Sequence, residues 1–285
     1  MMKDSIFPIP FDSLPKLRII PTNDVVLHEE CEAKRVQKLI DRLRTDNLLR
    51  NPPVVSEIDG GRRYMVLDGA NRATALREMG FRDILAQVID YSDPRVILDT
   101  WNHFVPDLSP EALIEEIKSI AGIRVTSNDL EAARRLLEGR KILGIVILHN
   151  NGIHSLEGGS DLKSQVSLLK EVVRTYKSRS EIYRVKTDQI DHLLSDYRNW
   201  GALFVFPCYT KEEIVGVATD QVKLPTGITR HIIPQRALRV NISLDVLRDS
   251  ASLEDKNGWL AEFVEKKVMN KEVRYYQEAT FLFDE

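Results

Sequence analysis

The chain has 285 residues and a formal net charge of −3, with 43% hydrophobic and 29% charged residues. The length allows one large domain or two ordinary ones, and the apolar fraction is enough for a packed core in water. The slight acidity argues against a protein that coats nucleic acid, although a local basic patch is compatible with it.

The first segment, "MMKDSIFPIPFDSL", is broken by Pro8 and Pro10 and does not read as a signal peptide. "KLRII" (16–20) reads as a strand. In "CEAKRVQKLIDRLRTDN" (31–47), Ala33, Val36, Leu39, Ile40 and Leu43 recur at helical spacing between charges. Pro52-Pro53 breaks the chain, and the Gly60-Gly61 turn predicts a hairpin of 54–58 with 63–67. A helix follows from Ala70 to Gly80, and strands are predicted at 84–91 and 95–101, making the first 105 residues an α+β unit. Beyond a boundary near Pro106, Ser109 and Pro110 open a helix over 108–122. "KILGIVILHNNGIHSLEG" is a strand, an Asn-Asn-Gly turn and a second strand, and 161–178 is an amphipathic helix. Thr210 and Glu213 have capping-box spacing; strands near 231–242 and a helix near 253–268 complete the chain. The longest apolar run, Ile142 to Leu148, is too short to span a membrane. Cys31 and Cys208 stand far apart in no metal-like spacing, as two reduced thiols of a cytoplasmic protein would.

The stretch "YMVLDGANRATALREMG" (64–80) carries the most chemistry. A strand that ends in Asp68-Gly69 and feeds a helix presents unpaired backbone N–H groups and the positive end of a helix dipole. Gly69 lets a ligand approach the backbone closely, and Arg72 adds a guanidinium able to grip two phosphate oxygens. Together these make a phosphate cradle. Asp-Gly also turns well with no ligand at all, so the stretch alone favours the plain turn.

The pattern "VLDGANRATALREMG" resembles the D-G-x-H-R-x-x-A-L loop of the ParB/sulfiredoxin-like superfamily, which holds nucleotide phosphates. "VVLHEECEAKRVQKLIDRLRTDNLLRNPPVV" resembles that family's H-E segment, helix and N-P-hydrophobic strand, in the same order. "LDTWNHFVP" and "LPTGITRHIIPQRALRVNISLDVL" are similar to the later segments of its free L-serine kinases, the archaeal ADP-dependent and the siderophore-cluster ATP-dependent enzymes. The resemblance spans residues 10 to 285. It implies an α+β fold with a ParB/sulfiredoxin-like nucleotide-binding domain (1–105) and a C-terminal α/β domain (106–285) that contributes substrate contacts. Sulfiredoxin chemistry is excluded, because the position of its nucleophilic cysteine is Ala70 here. A ParB-like DNA-segregation role is disfavoured, because strands rather than a helix-turn-helix follow residue 105.

The resemblance implies a kinase that transfers a phosphate of ATP or ADP, with Mg2+, to the hydroxyl of free L-serine. The serine hydroxyl is a poor nucleophile and needs a carboxylate base. The Glu after His matches Glu29, with Glu30 as the alternative, at the substrate. Both would otherwise serve as acids complementing the helix dipole. Gly69, Asn71, Arg72 and Thr74 map onto the phosphate loop, and Asp68 would orient Mg2+ or assist proton transfer. Thr229, Arg230 and His231 would anchor the amino acid, with Trp101 walling the pocket. Asn71 departs from the kinases' usual His before the loop Arg; it keeps a donor but cannot carry a proton. The rival reading is a ParB-like nucleotide-binding regulator without kinase activity, contacting DNA through Lys34, Arg35, Lys38, Arg42, Arg44 and Arg50. The acids interspersed among these look like an ordinary solvated face and argue against a nucleic-acid partner.

Overall fold

The computed structural model describes residues 14–186 and 200–276, so the segment around Pro8 and Pro10 lies outside the described residues. The first half of the chain builds β1 (Leu17–Pro21), β2 (Val25–Leu27), α1 (Ala33–Asp46), β3 (Leu48–Leu49), β4 (Val54–Ile58), β5 (Arg63–Asp68), α2 (Ala70–Glu78) and β6 (Asp83–Ile89). Five of these strands form a mixed sheet in the order β1-β6-β4-β5-β2. The β4–β5 hairpin is antiparallel, whereas β2 runs parallel to β5 with Leu27 beside Val66. Helix α1 buries Val36, Ile40 and Leu43, the stripe that its spacing predicts, and ends at Asn47 in the left-handed region (φ 49).

The chain continues through β7 (Ile97–Thr100), β8 (Asn102–Pro106), α3 (Pro110–Lys118), β9 (Arg124–Ser127), α4 (Leu130–Glu138), β10 (Gly144–Leu148), β11 (Ile153–Glu157), α5 (Leu162–Lys177), β12 (Tyr183–Val185) and β13 (Trp200–Val205). It then forms α6 (Lys211–Thr219), β14 (Thr229–Ile232), β15 (Ile242–Ser243), α7 (Leu244–Arg248) and α8 (Leu253–Met269). The second sheet has the order β12-β8-β13-β10-β11-β9, and each neighbouring pair is antiparallel.

Strand alternation decides how the layers stack. Val54, Met65 and Leu67 face one core, shared with Val105, Val146 and Phe204 of the second sheet and with α3, α5 and α6. Their neighbours Val55, Tyr64 and Val66 face a second core with α1 and α2. Ile242, Leu244, Leu247 and Leu260 also pack in that second core, so the C-terminal segment closes the first sheet. Helix α4 covers the outer face of the second sheet over Phe104, Ile145 and Leu203.

The fold class is α+β as expected, but the cores do not follow a cut at Pro106. Strand β8, before that cut, is paired with β12 and β13 of the second sheet. The strand predicted over 95–101 ends at Thr100, and Trp101 forms the joint to β8. The strands expected near 231–242 are two short ones, separated because Pro234 has no N–H to donate and Gln235, Arg239 and Asn241 take positive φ (53, 53 and 55). Among the described residues no helix is long and apolar enough to cross a membrane.

Candidate active site

The parallel pairing of β2 with β5 creates the site. With Leu27 in register with Val66, the segments His28-Glu29-Glu30 and Asp68-Gly69-Ala70 leave the sheet side by side. Strand β14 arrives opposite them on β7, pairing Thr229 with Thr100. Between these segments lies a cleft of about 470 Å3. The first residues of α2, Ala70 and Asn71, line it, so the positive end of that helix dipole faces the cleft.

Glu29 is the most constrained acid in the cleft. Its Oε2 accepts from the Gly227 amide at 2.8 Å; its Oε1 accepts from the amides of Ile228 (3.2 Å) and Thr229 (2.5 Å) and from the Thr229 hydroxyl at 2.6 Å. Gly227 makes this cradle by adopting φ +79. The carboxylate is thereby fixed in orientation across 200 residues of sequence. Glu30 also lines the cleft, and its Oε1 stands 3.6 Å from Lys170 Nζ of α5.

The Asp68–Arg72 turn has the form of an anion cradle. Gly69 caps α2 with φ 88. Asp68 Oδ2 accepts from Arg72 Nη2 at 2.8 Å and from Arg236 Nη2 at 2.5 Å. Among the described residues Arg72 Nε is buried without a hydrogen-bond partner, and Arg72 itself does not line the cleft. Asn71 lines the cleft, and its Oδ1 accepts from the Glu32 amide at 3.2 Å. Thr74 stands apart from these: its hydroxyl lies 3.0 Å from Cys31 Sγ, one helical turn behind the loop, and it does not line the cleft.

The opposite wall carries Trp101, Arg230 and His231. The Arg230 guanidinium sits 4.5 Å from the centre of the Trp101 ring, a cation–π contact. His231 Nε2 is 2.8 Å from the Tyr91 hydroxyl, and burial, with His28 nearby, pushes the His231 pKa down to about 3. His231 is therefore a neutral hydrogen-bonding group at physiological pH. Thr229, Arg230 and His231 thus meet Glu29, Asp68 and Asn71 in one cleft, whereas Gly69 and Arg72, expected in the phosphate loop, do not line it. Sequence reasoning missed His28, Arg184 and Arg236, which also line it. Arg236 stands 168 residues from Asp68, and no local spacing could reveal the pair. Arg184, Arg230 and Arg236 line the cleft beside Glu29, Glu30 and Asp68, so cationic and acidic groups share it.

No family model matches the chain. It is 28% identical over 233 residues to a protein of Staphylothermus marinus named ATP-dependent L-serine kinase, covering 81% of this chain and 90% of that one. It is 24% identical over 273 residues to the ATP-dependent L-serine kinase SbnI of Staphylococcus aureus, covering 94% and 97%. Among solved structures, a free serine kinase in complex with AMP superposes with a TM-score of 0.70 at 19% identity, over 85% of this chain and 98% of that one. The chain has the fold of the free serine kinases. The free serine kinase resemblance drawn from four ordered segments therefore holds over nearly the whole described chain.

Proposed function

We propose that this protein is a free L-serine kinase, transferring a nucleotide phosphate to the serine hydroxyl to give O-phospho-L-serine. One observation carries the reading. A carboxylate oriented by three amides faces a cleft whose other side is a Gly-capped helix start with Arg236 on Asp68. That arrangement pairs a base with a phosphate holder. The names of the curated relatives support the substrate and ATP as donor, and a further relative named ADP-dependent L-serine kinase makes ADP the alternative.

In this reading Arg72, Arg236 and the amides at the start of α2 hold the transferring phosphate, where positioning and charge neutralisation provide most of the rate. Arg230 and His231 hold the serine, with Trp101 as a wall. Glu29 takes the hydroxyl proton on Oε2, which among the described residues accepts only the Gly227 amide. Glu30, neighbouring Lys170, stands at the edge of the serine site as a charge for the ammonium group.

Among the described residues no cluster of three or more metal-ligating side chains occurs. The cleft fits Mg2+ only as an ion brought by the nucleotide, which needs one or two protein carboxylates. Asp68 is the carboxylate at that place. When bound, the ion neutralises phosphate charge. The regulator reading has less support, because the α1 basic face is compensated by its own acids: Arg35 pairs with Glu32, and Arg42 and Arg50 with Asp46.

The test is incubation of purified protein with Mg2+, L-serine and either ATP or ADP, followed by mass spectrometry. O-phospho-L-serine with one of the two nucleotides is expected. No product with either overturns the proposal.

A further inference from the structure

We propose that His103 is a positioning residue for the reaction: its imidazole holds the Gly227–Ile228 peptide so that the Ile228 amide points at Glu29 and fixes the direction of the carboxylate. The inference rests on Glu29 being the base and deepens that reading.

The path of the chain creates the need for such a residue. Strands β7 and β14 pair through Thr100 and Thr229, and the ladder runs one step further, with the Trp101 amide donating to the Ile228 carbonyl at 2.8 Å. After Trp101 the chain leaves β14 and enters β8 of the second sheet, where His103 stands between Arg184 and Phe204. The Gly227 carbonyl lies beyond that last ladder step and is met by a side chain instead, with His103 Nε2 at 3.1 Å.

Each of these two carbonyls shares a peptide plane with an amide that faces Glu29. The Gly227 carbonyl is coplanar with the Ile228 N–H, which donates to Glu29 Oε1 at 3.2 Å. The Ile228 carbonyl is coplanar with the Thr229 N–H, which donates to the same oxygen at 2.5 Å. Trp101 and His103 thus hold from behind the two peptides that hold Oε1 in front. With Oε1 fixed, the direction of Oε2, the oxygen that takes the proton, is set.

Donor counting gives the state of the ring. A carbonyl oxygen only accepts, so His103 Nε2 carries a hydrogen. Nδ1 lies 2.8 Å from the Tyr176 hydroxyl. Burial pushes the Tyr176 pKa well above its ordinary value. It pulls that of His103 down to about 4, against the Gly227 carbonyl, which raises it, and with Arg184 and Lys177 adding to the fall. Near neutral pH the ring is therefore uncharged and the phenol protonated, so Tyr176 donates to Nδ1. Both side chains are 0% exposed. A fully buried imidazole is costly unless both nitrogens are paired, and here both are. The result is a line of donors running from Tyr176 through His103 and the peptide to Glu29, in which each bond polarises the next. No proton changes owner along it; the line only orients.

His103→Met fills the space and removes the donor, whereas His103→Gln can place an N–H near the position of Nε2. In His103→Met kcat should fall about tenfold or more, because a carboxylate turned off line is a poorer base. His103→Gln should recover most of it. Nucleotide Kd by calorimetry should be unchanged in both, since the helix start on the other side of the cleft holds the phosphate. Wild-type kcat in His103→Met, or a His103→Gln as impaired as His103→Met, overturns the proposal. So does a parallel loss of nucleotide affinity, which a merely structural role would produce.

The second arm needs neither substrate nor activity. Nitrogen NMR of the wild-type histidines, with His103 assigned through His103→Gln, should show the Nε2–H tautomer; an Nδ1–H tautomer overturns the proposal. Exchange of the Ile228 amide hydrogen should speed up about tenfold or more in His103→Met while the amides of α1 exchange as in the wild type. Unchanged exchange at Ile228 overturns it. An inactive wild type in which this arm succeeds faults the kinase assignment alone, and an active one in which it fails faults the positioning role alone.

Discussion

Replacing Gly69 by alanine tests whether the 68–72 turn is a phosphate cradle held in one conformation. Gly69 has φ +88, and an added Cβ would meet Arg72 Nη2 at 2.8 Å, Arg72 Nε at 3.0 Å and the Pro53 Cα at 3.0 Å. The Pro53 backbone cannot yield, so the Arg72 side chain must swing off Asp68. The left-handed conformation costs an alanine roughly 1–2 kcal/mol. At about 2–4 °C per kcal/mol for a chain near this size, the melting temperature falls by about 2 to 8 °C. Losing one charge-assisted contact from Arg72 to a phosphate removes about 1.5–3 kcal/mol, which is roughly 10- to 150-fold in nucleotide Kd. Gly80 is the control: it has φ +79, and its Cβ would meet nothing within 4 Å. Gly80→Ala should lose comparable stability and keep its nucleotide affinity. Calorimetric titration with nucleotide, beside thermal melts, reads both quantities. If Gly69→Ala binds nucleotide as tightly as the wild type, or Gly80→Ala loses as much affinity, the turn is not the phosphate site.

Arg236→Gln should weaken nucleotide binding about tenfold or more and lower its salt sensitivity, because one of the two guanidiniums on Asp68 is removed; unchanged affinity at low salt would remove Arg236 from the site. Stability should fall on acidification below about pH 6.5. His231 and His103 are held by burial at about 3 and about 4, so the unfolded chain binds more protons than the native one between those values and 6.5. Each contributes stability that is present above pH 6.5 and reduced by about 2 kcal/mol at pH 5. Denaturant titrations at pH 7 and pH 5 measure it, and equal stability at the two values contradicts the buried neutral imidazoles.

Local chemistry was readable from the chain. The Val36-Ile40-Leu43 stripe, the Thr210–Glu213 capping box and the Asp68-Gly69 helix start all form where the side chains dictate. What is not local was hidden. The parallel register of Leu27 with Val66 is set by sheet packing, and it brings the segments that carry Glu29 and Asp68 out of the sheet side by side. The Gly227–Thr229 amides reach Glu29 from about 200 residues away, so the use of Thr229 as a partner of Glu29 and His28 could not be read from Thr-Arg-His. Thr74 faces Cys31 because its place on α2 is one turn past the residues that meet the cleft. Sequence order likewise hides that Ile242, Leu244, Leu247 and Leu260 return to the core of the first sheet.

The central claim is that this cleft moves a nucleotide phosphate to serine with Glu29 as base. The most direct measurement is a 31P NMR time course of the protein with Mg2+, nucleotide and L-serine, run for wild type and Glu29→Gln at equal nucleotide occupancy set by calorimetry. The account predicts a growing phosphoserine resonance in the wild type and none above background in Glu29→Gln. A resonance growing equally in both, or in neither, contradicts it.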